Sequence, residues 1–489
     1  MGSIKRAVPL ATWLTPLVLW LLLTLVYLGR GNGLTPDSAS YIECAESIAA
    51  GRGFQVRPFG GLDARLWQPL DSFPPGYPLL TAGLMRLGLS DAYLAARTVS
   101  VVCSGLFLVL MVTFYARTLP AAASMLLGMA LVATPRMLSY ETTCLSESAY
   151  TLLAAISLFL LLRGTSDARA SAAWLLAAGL VAGCAWCVRN VGVALLLASL
   201  VYLIGQSSRF RLGRLALAAG VWLTGWLVAA GWLLIWDYRT FGTLRPYRMP
   251  ARELSAGSAA IIALAVVITA AALRLLLRRG QSRPAVGDPR VCLLGGFLLF
   301  HVLTIIMAHC VYRLGEAASS FRFYMPVYWI GLWIAALWLR RLAGRSKSVG
   351  VAIVAAGVVW VVSMVVGALV PSAGRRPELD RRDAARLGRQ IPSDKLVLGD
   401  DVESLRVFGK INARRLPDRA YGQVPLAWAD IRAAGRDGRL WGIAVRDEKA
   451  CGEGRFGEAL RRLGSTTDGL PHFRKINAES QMSVWQFVP

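Results

Sequence analysis

An aspartate stands in the first turn of a short predicted helix. The stretch "LTPDSASYIECAESIAAGRGF" runs from Leu34 to Phe54. Thr35 suits the N-cap and Pro36 the first helical position, which places Asp37 next to the helix start. Tyr41, Ile42, Ala45, Ile48 and Ala49 follow at helical spacing as an apolar stripe, and Gly51 and Gly53 end the element. Two roles are open to Asp37. It can complement the positive end of the helix dipole. It can also act as a general base on a hydroxyl, close to lipid, where a low dielectric strengthens electrostatics.

Other polar residues invite the same question. In "ETTCLSESAY" (141–150), Glu147 opens an apolar helix and Glu141 lies further out. Each can cap or stabilise a helix end. Glu147 can also be a second acid facing Asp37, binding a cation or orienting an acceptor hydroxyl. Arg189 interrupts two apolar runs in "CAWCVRNVGVALL", and Arg322 lies in "FRFYMP". An arginine at that depth needs a partner. A phosphate matches its guanidinium fork, and snorkelling to the interface is the other solution. Arg239, Arg245 and Arg248, in "DYRTFGTLRPYRMPARELSA" (237–256), suit a diphosphate, anionic headgroups or a solvated rim. The prolines and glycine of "SFPPGYPLL" (72–80) fix a turn around Tyr77. Tyr41, Glu141 and Tyr77 are the expected substrate-side residues.

These residues need elements to carry them, and composition says which. The chain has 489 residues, 55% of them hydrophobic, with a mean hydropathy of +0.51. That is the balance of an integral membrane protein. Apolar runs of about 17–22 residues, long enough to span a bilayer, lie near 10–29, 95–116, 120–138, 148–163, 171–188, 191–206, 215–236, 257–276, 291–311, 323–339 and 349–371. The expectation is a polytopic α-helical membrane protein of about eleven transmembrane helices. The first run is too long for a signal peptide and lacks a small-residue cleavage site.

The net charge is +24. Its placement argues for a lipid bilayer and against nucleic acid. Basic residues concentrate in alternate short loops, from Lys5 and Arg6, through Arg117, Arg163 and Arg169, Arg209 to Arg214 and Arg274 to Arg283, to Arg340, Arg341, Arg345 and Lys347. This positive-inside pattern puts the N-terminus in the cytoplasm. With an odd number of spans the C-terminal tail lies outside. The acids and arginines singled out above then fall on the outer face. Four of the eight cysteines, Cys44, Cys144, Cys310 and Cys451, share that side, and one disulfide among them is possible.

Two regions lie outside the spans. Residues 30–94 form a first extracytoplasmic loop with amphipathic helices. From about residue 375 the apolar runs shorten to strand length, "KLVLG", "WGIAV" and "SVWQFV", between amphipathic stretches such as 378–389 and 455–463. The expected organisation is a transmembrane domain over 1–374 and a small soluble α/β domain over 375–489.

With these residues in view, the chain resembles the GT-C glycosyltransferases of the protein O-mannosyltransferase / lipid A aminoarabinose transferase superfamily. The resemblance rests on an ordered series: "PDSASYIECAESIAAGRGF", "PPGYPLL", "LSESAY", "WCVRNVG", "YRTFGT", "RFYMP" and "SDKLVLGDD". It implies the GT-C fold, a polyprenyl-phosphate sugar as donor, and transfer with inversion on the extracytoplasmic side of the cell inner membrane. The acceptor would be a hydroxyl of a glycan, a lipid or a protein. Asp37 would be the catalytic carboxylate, with Glu147 at the second acidic position. Arg189 and Arg322, joined by Arg239 and Arg245, would face the donor phosphate. The chain departs from many relatives at Ser72 and Phe73, where a basic residue precedes the double proline, and at Phe323, where a tyrosine follows the late arginine. No cofactor is demanded. A divalent cation between Asp37 and Glu147 is possible, though no ligand spacing requires one.

A transporter or flippase of polyprenyl-linked glycans is the competing class. It would place ionisable groups along a path through the membrane, often on broken helices. Here they gather at one set of span ends.

Overall fold

The computed structural model describes residues 9–30, 34–57, 67–166, 171–206, 212–242, 289–312, 321–344 and 346–369, parts of 259–271, and several short C-terminal segments between 381 and 487. The chain divides into two compact units. One comprises Met1–Gly29, Asp71–Leu80 and Arg97–Pro371; the other comprises Arg30–Leu70, Thr81–Ala96 and Ser372–Pro489.

The first unit is helical. Six helices are long and apolar enough to cross a membrane: α1 (Ala11–Leu28), α4 (Ala92–Thr118), α7 (Glu147–Gly164), α10 (Leu212–Phe241), α12 (Pro289–Tyr312) and α14 (Lys347–Leu369). The run expected as one span over 120–138 is instead a broken pair, α5 (Ala121–Ala133) and α6 (Pro135–Glu141), bent by 65°. Pro135 explains the break. It cannot continue the hydrogen-bond ladder, and it pushes Thr134 out of the helical region, to φ −66° and ψ 109°. Counted as one span, the pair brings the total to seven among the described residues. Three further apolar helices are shorter: α8 (Ala172–Val188), α9 (Val193–Gly205) and α11 (Ile261–Ala271). Helix α13 (Phe321–Ala343) carries Pro326 within it.

Aromatic packing fills the centre of this unit. Phe114, Phe159, Trp329 and Trp333 meet edge-on, tilted or stacked across α4, α7 and α13. The Tyr115 hydroxyl donates to the Trp329 carbonyl over 3.1 Å. A second cluster joins Leu23, Tyr27, Ala133, Leu138 and Ala368 from α1, α5, α6 and α14.

Helices α8 and α10 approach backbone to backbone. A Cβ at Gly179 would stand 1.9 Å from the Trp222 carbonyl oxygen, and one at Gly183 2.6 Å from that of Trp226. Small residues are what permit so close a crossing in a membrane. Gly179→Ala is therefore expected to cost about 1–3 kcal/mol by forcing the helices apart. Gly213→Ala, with nothing within 4 Å of its added Cβ, serves as the control. Thermal unfolding in detergent measures both; equal midpoints would remove the close crossing as a determinant.

In the second unit, α2 (Pro36–Ala49) begins as its sequence dictates. Thr35 is the N-cap, and its Oγ1 accepts from the Ser38 amide at 3.2 Å. Gly51 and Gly53, at φ +76° and +80°, turn the chain away in a conformation other residues avoid. Strands β1 (Gln55–Val56) and β2 (Gln68–Pro69) pair antiparallel. The C-terminal strands form a five-stranded mixed sheet ordered β4-β3-β5-β7-β6: β3 (Leu396–Gly399), β4 (Asn412–Arg415), β5 (Leu440–Val445), β6 (Phe473–Ile476) and β7 (Ser483–Phe487). Strand β3 runs parallel to β4 and β5, and the pairings of β7 with β5 and β6 are antiparallel. Helices α15 (Arg381–Gln390) and α16 (Val402–Val407) lie between these strands in sequence. The stretch 455–463 falls outside the described residues.

Candidate functional site

Three of the expected residues converge in the membrane unit. Helix α7 starts at Glu147, so its carboxylate sits at the positive end of the helix dipole. Helix α8 ends at Val188. Arg189 is extended, at φ −150° and ψ 134°, and a single 3-10 turn, Asn190–Gly192, leads into α9. A Cβ at Gly192 would stand 2.8 Å from the Trp186 Cα, so that turn folds tightly back on α8. This break fixes where the Arg189 side chain leaves the backbone. Arg322 leaves from the first turn of α13.

Both guanidinium groups reach one oxygen. Arg189 Nη1 lies 2.5 Å from Glu147 Oε1, and Arg322 Nε lies 3.3 Å from the same atom. Glu147 is fully buried, whereas the arginine side chains keep 13% and 24% exposure. Arg189 also donates to Ser146 Oγ at 3.4 Å, and both guanidiniums lie near the Phe323 ring, at 5.8 and 5.1 Å. Two guanidiniums on one buried carboxylate form a cluster whose forks also match the oxygens of an anion such as phosphate. A divalent cation at Glu147 would sit against both arginines. Among the described residues, no three His, Cys, Asp or Glu side chains form a metal-binding group.

His301 is the residue that sequence reasoning passed over. Its Nε2 lies 2.8 Å from the Phe323 carbonyl oxygen, and its ring stacks on Tyr150. A carbonyl only accepts, so Nε2 carries the proton in this contact. The imidazole thus braces the first turn of α13, from which Arg322 projects. A signal was present: one of only three histidines in the chain stands inside the apolar run "LLFHVLTII".

The remaining expected residues lie on other elements. Asp37 lies in the first turn of α2, half-buried, within the other compact unit. Tyr41, one turn on, is buried. Glu141 is buried at the end of α6, with a hydrogen bond to Ser104. Tyr77 is buried, with its hydroxyl 2.8 Å from Ser100 Oγ. Arg239 is exposed in the last turn of α10. Arg245 and Arg248 lie outside the described residues. Cys44, Cys144 and Cys310 are free thiols, and Cys451 is not among the described residues.

In the second unit, an ion-pair network surrounds α2. Arg406 of α16 holds Glu43 with both arms of its fork, Nε to Oε1 at 2.9 Å and Nη2 to Oε2 at 2.6 Å. Arg57 adds a further pair to Glu43 at 3.1 Å.

Comparison with known proteins bears on these observations. Residues 72–236 match the family of dolichyl-phosphate-mannose-protein mannosyltransferases. That stretch includes Glu147 and Arg189. No curated protein matches the sequence. In structure the chain resembles apo ArnT from Cupriavidus metallidurans, at 14% identity and a TM-score of 0.52, over 97% of each chain. Two weaker likenesses are the same ArnT bound to undecaprenyl phosphate (13% identity, TM-score 0.45, 98% of each chain) and the oligosaccharyltransferase AglB from Archaeoglobus fulgidus (10% identity, TM-score 0.48, 88% of this chain and 69% of that one). The fold assignment rests on the first. Over residues 72–236 the chain is thus similar to protein mannosyltransferases, and its fold is like that of ArnT, with several helices long and apolar enough to cross a membrane.

Proposed function

We propose that this protein is a GT-C glycosyltransferase that moves a sugar from a polyprenyl-phosphate donor to an acceptor hydroxyl on a glycan, a lipid or a protein, with inversion. The observation that carries this reading is the convergence of Arg189 and Arg322 on buried Glu147. A sugar phosphodiester bears one negative charge, and its oxygens match the guanidinium forks of that cluster. When the bond from the anomeric carbon to the phosphate oxygen breaks, its electron pair stays on the phosphate. Negative charge grows where the two guanidiniums already stand, and that is how preorganised groups favour a transition state over a ground state. Glu147 keeps the arginines in place before the donor arrives.

The acceptor must lose a proton as its oxygen attacks. Asp37 is the proposed base, taking that proton while the acceptor oxygen bonds the anomeric carbon from the face opposite the phosphate. Inversion follows from the single displacement. The donor class agrees with the lipid-phosphate sugar in the name of the matched family. Arg239 and Arg245 would steer the anionic headgroup, and Tyr41, Glu141 and Tyr77 remain the proposed substrate-side residues. The charge bias of the loops supports a cytoplasmic N-terminus and chemistry on the outer face of the inner membrane, with the C-terminal α/β segment on that face.

Undecaprenyl phosphate, with no sugar attached, probes the phosphate pocket directly. Arg189→Ala is expected to weaken its binding about 10- to 100-fold, the worth of one charge-assisted hydrogen bond. Unchanged affinity by titration calorimetry or fluorescence would take Arg189 out of the pocket and remove the reading's main support.

A further inference from the structure

We infer that Arg406, in the C-terminal segment, is a positioning residue for the helix that carries Asp37. The inference rests on the general-base reading of Asp37. Glu43 and Arg406 stand 363 positions apart, yet they form a two-armed ion pair with only about 1–2% of either side chain exposed. Arg406 Nη2 also donates to the Arg57 carbonyl at 3.0 Å. One guanidinium therefore grips both α2 and the chain that leaves it. Around it, Lys410 pairs with Glu46, and Arg86 Nη2 donates to the Ile48 carbonyl at 3.3 Å, at the C-terminal end of α2. Phe408 meets Tyr93 edge-on at 4.9 Å.

The geometry of α2 gives this grip a purpose. At about 100° per residue, Asp37 and Glu43 project from faces about 120° apart. The helix is thus clamped on one face and presents its aspartate from another. The fork sets rotation as well as distance, because two parallel N–H···O bonds fix the carboxylate plane. Stability alone does not call for such a pair, since apolar residues of similar volume often serve as well in a buried place. What the pair supplies is a defined orientation for a short helix whose carboxylate must meet a proton within a few tenths of an ångström.

That distinction sets the test, run on the full chain in lipid nanodiscs. The double variant Glu43→Met/Arg406→Leu replaces the pair with apolar volume, and Arg57, 16% exposed, can turn to water. Arg406→Lys keeps the charge and loses the fork. Turnover is followed as undecaprenyl phosphate formed from a panel of undecaprenyl-phosphate hexoses and pentoses. The expected result is an unfolding midpoint close to the parent's in the double variant. Turnover in both variants should fall about 100-fold, with undecaprenyl phosphate affinity unchanged and faster amide exchange over 36–49. Parental turnover and parental exchange in either folded variant would overturn the inference. Asp37→Asn is the control. If it too keeps parental turnover, the general-base reading has failed; if it is inactive while the Arg406 variants are not, only the positioning role has failed.

Discussion

Asp37→Asn is expected to lower kcat by about 10²–10⁴-fold, the range that a positioned general base contributes, while undecaprenyl phosphate binds as tightly as before. The substitution is isosteric and leaves the helix start intact. Thr35 still caps through its side chain, Pro36 still fills the first position, and the buried face from Ser38 to Ala45 is untouched. The other role open to Asp37 makes the opposite forecast. As a mere complement to the helix dipole it contributes about 0.3–1 kcal/mol, so its loss would shift thermal unfolding slightly and leave turnover alone. Thr35→Ala calibrates that alternative, because removing the cap costs about 1 kcal/mol without touching the carboxylate. An Asp37→Asn protein with the stability loss of a cap variant and parental kcat would sink the general-base role.

Glu147→Gln carries the second large effect, and its signature is a stability that depends on ligand. The amide keeps the shape and removes the charge. Arg189 and Arg322 then both lose the carboxylate they share. Removing one partner of a buried pair typically costs about 3–5 kcal/mol. An arriving phosphate would restore part of the loss, so undecaprenyl phosphate should raise the unfolding midpoint of Glu147→Gln by more than it raises the parent's. Linkage makes that difference a direct reading of the anion's preference for the folded cluster. A midpoint lowered equally with and without the lipid phosphate would confine Glu147 to a structural role and count against an anion pocket.

The local chemistry of α2 was legible in the sequence because it is short-range. A threonine, a proline and an aspartate in succession set a cap, and two glycines set a stop, whatever packs against them. Six of the expected spans were legible for a similar reason, since a bilayer reads length and apolar content directly. At 171–188, 191–206 and 257–276 the helices are shorter, and at 120–138 a proline that the hydropathy average absorbs turns one rod into two. His301 was harder to find. Its role depends on the carbonyl of Phe323, 22 positions later and on another helix, and no spacing rule connects them.

By itself, then, the sequence determined what is decided residue by residue or span by span: a multi-pass membrane protein, the cap and stop of α2, and a set of acids and arginines near the ends of its apolar runs. Only the tertiary structure decided which of those charges meet. It put Arg189 and Arg322 on one oxygen of Glu147, and it brought Arg406 from the far end of the chain to Glu43. The reason is energetic. A buried charge must find a partner wherever the fold supplies one, and the chain records the charge but not the fold's choice among many candidates of opposite sign.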